Sequence, residues 1–454
     1  MTVRSHLTRS RLRIVFFVLI VLSIGVLGYA FHTGISTANP EDVPRAEPRD
    51  GHTVVTESAR AGTIIAYEPD GSLLYYNNTR TKYFDVDPVE GEELTVEYAA
   101  TDTISTSGST CDDPPCTRNV IERANLSTGE VEVIYERYDY KEFAGEWHDH
   151  IRLNETHILI ADIVADQVFI VNTETEIVEW LWDAQSEFPV QGGGPYPSDW
   201  AHINDVEYIE SGELDGHIMV SLRNQDQVVF IDPGSGVNDR WTLGSEDDYS
   251  VMFEQHNPDY IPESNGGPAV VVSDSENGRV QEFQRVDGSW NRTWEWSDER
   301  MQWPRDADRL PNGNTLIADS HGKRVFEVTP EGEIEWEVPS TMPYEVERLE
   351  TGDESTGGQS AVELDLQSQT EETASGDGLS PLGYLAAFVQ WVLPHRIFNG
   401  ILFVSPAWMG RPEFLAATVG ITSTIAWGGA ELRWWLGSVG IGIRSPLYLK
   451  QSDE

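Results

Sequence analysis

Lysine is nearly missing from this 454-residue chain, occurring only at Lys82, Lys141, Lys323 and Lys450. With arginine the basic total is 30 against 76 Asp and Glu, a formal net charge of −46. A surface so poor in cations cannot neutralise phosphates, which excludes nucleic acid as a partner. Cysteine is as scarce. Cys111 and Cys116 bracket Asp-Asp-Pro-Pro; two thiols without further ligands nearby do not make a zinc site, and in an extracellular setting this short ring predicts a disulfide that stiffens a loop. There is no His-Glu-x-x-His motif, and no glycine-rich loop ending in Lys-Ser/Thr to cradle a nucleotide phosphate. The expectation is therefore no cofactor and no metal.

Two readings of the acidity compete: an acidic interaction surface, or adaptation to molar salt, where screening removes self-repulsion. The carboxylates are spread through the chain rather than blocked, which favours salt adaptation. The termini are different. A basic segment, residues 1–13, carries Arg4, Arg9, Arg11 and Arg13 and precedes the uncharged stretch 14–31, long enough to approach a bilayer span. This predicts an anchor with the following chain outside the cell; a cleaved signal peptide ending near Ser36-Thr-Ala38 is the rival. Residues 32–51 read as a linker, and 341–380, rich in Gly, Ser, Thr and Glu, as an acidic disordered tether. Residues 381–449 turn apolar and aromatic, with a second candidate span at about 414–430 followed by Trp434-Trp435; a small packed helical domain is the alternative. Four Asn-x-Ser/Thr sequons, at Asn77, Asn125, Asn154 and Asn291, fit an exposed location without proving it.

Between the termini a unit repeats. Leu159-Ile-Ala-Asp162, Met219-Val-Ser-Leu222, Val271-Val-Ser-Asp274 and Leu316-Ile-Ala-Asp319 each reach a valine six residues on, at Val168, Val228, Val280 and Val325. An aromatic strand follows in several of them, and the unit recurs every 45 to 60 residues, the size of a four-stranded propeller blade. Weaker copies at Leu73–Asn77 and around Thr117–Ile134 bring the count to six. The predicted fold is all-β, a six-bladed β-propeller over residues 52–340, with an N-terminal transmembrane helix and an apolar helical, membrane-embedded C-terminal region. Unrelated hairpins in a sandwich would not keep this register.

One corner of each unit is polar: Trp147-His148-Asp149-His150, Trp200-Ala201-His202-Ile203-Asn204-Asp205, Glu254-Gln255-His256-Asn257 and Trp303-Pro304-Arg305-Asp306. Propeller blades point equivalent corners at one axis. His148 or His150, His202, Asn204, Arg223, His256 and Arg305 thus form a candidate constellation of imidazoles with guanidinium and amide donors, suited to an anionic group. A neutral imidazole can attack sulfur or phosphorus while the cations hold the oxygens. Each residue alone can equally be a hydrogen-bonded loop residue. Asp149, Asp205 and Asp306 read as turn acceptors, and Trp147, Trp200 and Trp303 as core or channel wall.

The stretch Asp199-Trp-Ala-His202-Ile-Asn204, followed by Ser221-Leu-Arg223-Asn-Gln225 and then Gln255-His256, resembles the arylsulfotransferases that use no nucleotide sulfate donor. Leu310-Pro-Asn-Gly-Asn-Thr-Leu-Ile resembles that family's blade motif. The resemblance covers residues 52–340. It implies a ping-pong sulfotransferase in which His256 takes the sulfuryl group from a sulfate ester and passes it to a hydroxyl acceptor on a cell-surface glycan or a phenol. It further implies that His202, Asn204 and Arg223 bind its oxygens, that His148 or His150 assists, and that Arg305 lies at the substrate. With the acidic composition it suggests a membrane-anchored member from a salt-adapted archaeon, its propeller on the extracellular face. The C-terminal apolar region departs from the pattern of the bacterial relatives. A non-catalytic ligand-binding or adhesion propeller is the alternative, and a metal-dependent propeller hydrolase a third reading.

Overall fold

The computed structural model describes residues 3–34, 36–59, 61–140, 145–370 and 395–439. Lys141 and Lys450 lie outside them. Two compact units are present, residues 35–407 and a helical unit built from 1–34 and 408–454.

The larger unit holds six antiparallel sheets, five of four strands and one of five. Five of the sheets use strands consecutive in sequence; the sixth joins the chain's ends, strand Pro343–Arg348 pairing with Thr53–Glu57 with Val346 opposite Val55. This closes the ring and removes its open edge. The expected six-bladed propeller is therefore present, but it does not stop at residue 340. The tether expected over 341–380 is a correction for its first part: Pro343–Arg348 is a fully buried strand. After it comes a short helix, α1 (Ala361–Leu364), whose Ser360 cap accepts from the Glu363 N–H. Ala361 and Leu366 pack into the core between the last two blades. Composition misled because Gly, Ser and Glu also suit tight turns and buried hydrogen bonds, and Ser355 and Ser360 are buried. Residues 371–380 lie outside the described residues.

The innermost strands are Pro343–Arg348, Lys82–Pro88, Trp147–Arg152, Ile203–Tyr208, His256–Ile261 and Pro304–Arg309. All six break register with their neighbours at the same level: between Tyr83 and Val86, Trp147 and Asp149, Ile203 and Asp205, His256 and Asp259, Pro304 and Asp306, and opposite Thr56. The polar corner read in the sequence is thus a β-bulge, a device that re-aims one side chain out of the pleat. In three blades a left-handed residue lies two positions before the re-aimed one: His202, Glu254 and Trp303, with φ of 52°, 48° and 63°. Non-glycine residues held there are strained and depend on the surrounding structure to persist.

Cys111 and Cys116 form the expected disulfide. Of the apolar C-terminal region, residues 381–394 and 440–449 lie outside the described residues. Helix α2 (His395–Val404) belongs to the propeller unit and buries Phe398, Asn399 and Leu402. This part of the region expected to be membrane-embedded packs with the propeller.

In the helical unit, α3 (Val3–Thr33) and α4 (Arg411–Ser438) run antiparallel. Phe16 stacks near Trp427, Phe31 meets Trp408, and Arg13 pairs with Glu431 at 2.5 Å. Among the described residues, α3 is the one helix long and apolar enough to cross a membrane, a test that a signal sequence also passes.

Candidate active site

The bulges bring Phe84, His148, Asn204, His256, Arg305 and Tyr344 to one level of the channel, one from each blade. His148 is the centre of an aromatic cluster: its ring stacks on Phe84 at 4.3 Å and meets the edges of His202 and Tyr344, both at 5.2 Å. Its Nδ1 is 3.0 Å from the Tyr344 hydroxyl. His256 lies 6.2 Å from Tyr344 and 6.0 Å from Trp303, ring centre to ring centre. Arg305 lies over Trp303 at 4.1 Å and Tyr344 at 4.9 Å.

His256 is held in one tautomer. Its Nδ1 is 2.8 Å from Ser275 Oγ and 3.2 Å from the Glu254 carbonyl, while Ser275 Oγ donates to the Pro304 carbonyl at 2.7 Å. A serine that donates its only proton elsewhere must accept from the imidazole, and a carbonyl can only accept. Nδ1 therefore carries the proton and Nε2 the lone pair. Burial, then Arg305, Arg223 and His202, push the His256 pKa well below the ordinary histidine value, so the ring is neutral at pH 7. His148 is pushed down in the same way, by burial first and by His202 and Arg305 next. His202 is oriented by Asp199, 2.5 Å from its Nδ1.

The cations differ in how they are balanced. Arg223 pairs with Glu254, and its backbone N–H donates to the His202 carbonyl at 3.3 Å. Burial works against its charge, but Glu254 and Asp199 outweigh it and raise its pKa. Arg305 has no such partner. Of the buried arginines among the described residues, Arg309, Arg324 and Arg348 each meet a carboxylate, whereas Arg305 donates only to Ser58 Oγ, at 2.5 Å, and its Nε finds no acceptor. Burial, partly offset by Tyr344 and reinforced by Arg223, lowers its pKa to about 10. In a chain this rich in carboxylate, a buried guanidinium left unpaired is aimed at an anion that arrives from outside. Asn204 gives one amide hydrogen to the Gln255 carbonyl at 2.9 Å, and its buried Oδ1 has no partner.

The sequence left His148 and His150 undecided, and the structure separates them. His150 is fully buried, hydrogen-bonded to Asp85 through Nδ1 and 3.7 Å from Glu97, among carboxylates rather than with the other histidines. Although burial opposes it, Asp85 and Glu97 raise its pKa to about 10, so it is a structural cation. Tyr344, Ser275 and Ser58 escaped the sequence reading, and Glu254, though part of the third polar corner, was given no role there. Tyr344 fell in the presumed tether; Ser275 and Glu254 adjoin recognised motifs, and their hydrogen-bonding to His256 and Arg223 is the only mark they carry.

Helix α2 borders the mouth of this cluster. Arg396 Nε is 2.9 Å from Glu254 Oε1, Asn399 donates to Glu276 at 2.9 Å and accepts from Gln302, and Phe403 meets Trp303 at 6.0 Å.

An arylsulfotransferase (ASST) family profile matches residues 134–297. The match includes His148, His202, Asn204, Arg223 and His256 and leaves out Arg305 and Tyr344. No curated protein matches the chain. Solved structures with similar folds include a periplasmic gluconolactonase of Pseudomonas aeruginosa, with 12% identity over 65% of this chain and 98% of that one and a TM-score of 0.42. A putative 6-phosphogluconolactonase of Bacteroides fragilis gives 10% identity over 69% and 99%, with a TM-score of 0.41.

Proposed function

We propose that the propeller is a sulfotransferase that moves a sulfuryl group from an aryl sulfate ester to an acceptor hydroxyl through a sulfohistidine on His256. The observation that carries this reading is the pairing of a neutral imidazole, its Nε2 lone pair free, with the unpaired buried Arg305. The family match supports the sulfuryl chemistry.

The Nε2 lone pair attacks sulfur, the S–O bond to the aryl group breaks, and the phenolate leaves with that electron pair. Arg305 and Arg223 hold the sulfuryl oxygens, whose charge is greatest when the group is passed between nucleophile and leaving group. His202, set by Asp199, would protonate the leaving oxygen and later remove the acceptor's proton, while the neutral His148, set by Tyr344, positions the reacting groups. In the second half, the acceptor oxygen attacks sulfur, the N–S bond breaks and His256 is restored. The acceptor is a phenol or a glycan hydroxyl. Anchoring by α3 would hold the propeller at the outer membrane face and favours a surface glycan. The acidic composition fits a salt-adapted organism.

The test is turnover of an aryl sulfate by the His256→Ala variant. A fall to background with unchanged folding supports the proposal, whereas undiminished turnover removes it and leaves a binding propeller.

A further inference from the structure

Beneath the imidazole level the channel is lined with acid. The first layer takes one side chain from each blade, just past the bulge: Asp85, Asp149, Asp205, Asn257, Asp306 and Glu345, five acids and one amide, all buried. One oxygen of several of these latches the next blade. Asp85 accepts from the His150 N–H at 3.0 Å, Asp149 from Val206, Asp306 from Val346 at 3.0 Å and Glu345 from Val86 at 3.0 Å. That accounts for one oxygen per side chain. A second layer, two residues further along the strands, adds Asp87, Glu207, Asp259, Asp308 and Glu347, and the chain after the last strand brings in Asp353 and Glu354, with the Glu354 N–H donating to Glu347 at 2.8 Å.

Six oxygens of this stack have no hydrogen-bond donor at all: Asp87 Oδ1, Asp149 Oδ1, Asp205 Oδ1, Asp308 Oδ2, Glu347 Oε2 and Asp353 Oδ1. A neutral group points the same way. Asn257, only 7% exposed, gives its amide nitrogen to Glu345 at 3.3 Å, and its carbonyl Oδ1 has no partner. The side chains converge, because carboxylates of different blades repel one another: burial first, then Asp149, Asp259, Glu207 and Asp85, drive the Asp205 pKa well above the carboxylate range. Among the described residues, the one basic side chain ion-paired to these acids is His150, through Asp85 and Asp87. Asp85, Asp87 and His150 also place ligand atoms within 4.8 Å of one another. Since His150 is already bonded to Asp85, the unpartnered oxygens are those of Asp87 and the carboxylates around it.

A buried polar atom without a partner is rare in native structures and calls for a water or an ion. Water would serve single orphan acceptors. It would not satisfy so many carboxylate oxygens gathered in one buried channel, where each charged carboxylate without a partner is strongly disfavoured. A set made wholly of carboxylate and amide oxygens, on a rigid axial frame, matches the donors and the irregular high coordination of calcium and not the softer ligands of zinc. We propose that the axial channel binds a calcium-type divalent cation among the oxygens of Asp87, Asp149, Asp205, Glu347 and Asp353, directly or through water, with Asn257 Oδ1 at its upper edge. This reverses the expectation of no metal, and it stands independently of the transfer reaction. The ion would be structural, tying five of the six blades and the segment after the last strand to the axis.

The experiment uses the full chain in detergent at high KCl. The protein is dialysed against a chelator, its metal content is measured, and thermal unfolding is followed as CaCl₂ is added at constant ionic strength. The proposal predicts about one calcium per chain before chelation, a rise in Tm on adding calcium, and affinity weakened at least about tenfold in Asp205→Asn and Asp87→Asn. The variants also separate the two explanations by sign. If a cation is bound, the Asn variants unfold at lower temperature than the parent in calcium. If the carboxyls are simply protonated, each Asn removes the cost of protonating a carboxyl at neutral pH and unfolds at higher temperature. No retained calcium together with a Tm that calcium does not move overturns the proposal, and this needs no variant to fold.

Discussion

Arg305 gives the sharpest prediction, because its stability and its activity should respond in opposite ways. Replacing it with Met keeps most of the volume and removes the charge. The guanidinium is 5% exposed and burial lowers its pKa to about 10. A group whose folded pKa lies below its unfolded value destabilises the fold at every pH at which it is charged, so at pH 7 the full penalty applies, on the order of 3 kcal/mol. Against this stand the hydrogen bond to Ser58 and the contacts with Trp303 and Tyr344, together about 2 to 4 kcal/mol. Arg305→Met should therefore unfold within about 1 kcal/mol of the parent. Arg324, as buried but paired with Asp319 and Asp298, is the control: Arg324→Met should lose about 3 to 5 kcal/mol. Turnover should show the reverse order, falling about 10²- to 10³-fold in Arg305→Met as an oxyanion partner disappears. The assays are denaturant unfolding at fixed salt and steady-state release of phenolate from an aryl sulfate. An Arg305→Met protein that is several kcal/mol less stable yet fully active would refute the reasoning and make the arginine a structural residue.

The two histidines of the first corner should also part. His148→Asn should slow turnover with little change in stability, whereas His150→Gln, which strands Asp85 in the core, should cost about 3 kcal/mol or more while the folded fraction keeps its turnover; equal effects on turnover would contradict the assignment. His256 and His148, both with pKa values depressed by burial, are neutral in the fold and protonate more readily when it opens. Their contribution to stability is present above about 6.5, the unfolded value, and is lost as pH falls from there toward their folded values, a slope that His256→Ala should reduce in unfolding experiments at stepped pH.

The repeating corner was legible because identical backbone geometry recurs with identical spacing, and the spacing of Asp162, Leu222, Asp274 and Asp319 to their valines was enough to count blades. The corner's physical basis was not legible. A bulge leaves no composition signature, and without it strand alternation places His148 and His150 on one face, so they could not be separated. Tyr344 was hidden because ring closure depends on a strand that pairs with the far end of the chain, and its neighbours look like a flexible linker. The acidity misled in another way. The charge as a whole was read as surface and Asp149, Asp205 and Asp306 as turn acceptors, but these are interior, and Asp149 and Asp306 accept from the next blade's backbone. Charge counts do not say on which side of a strand a carboxylate lies.

Direct trapping of the intermediate tests the central claim. The protein is mixed with an aryl sulfate in the absence of acceptor, quenched in alkali and digested, and the sulfated peptide is mapped by mass spectrometry. The account predicts one sulfated site, on His256, which discharges when acceptor is added before the quench and is absent from His256→Ala. Sulfation of another residue, or turnover without any sulfated protein, would contradict it.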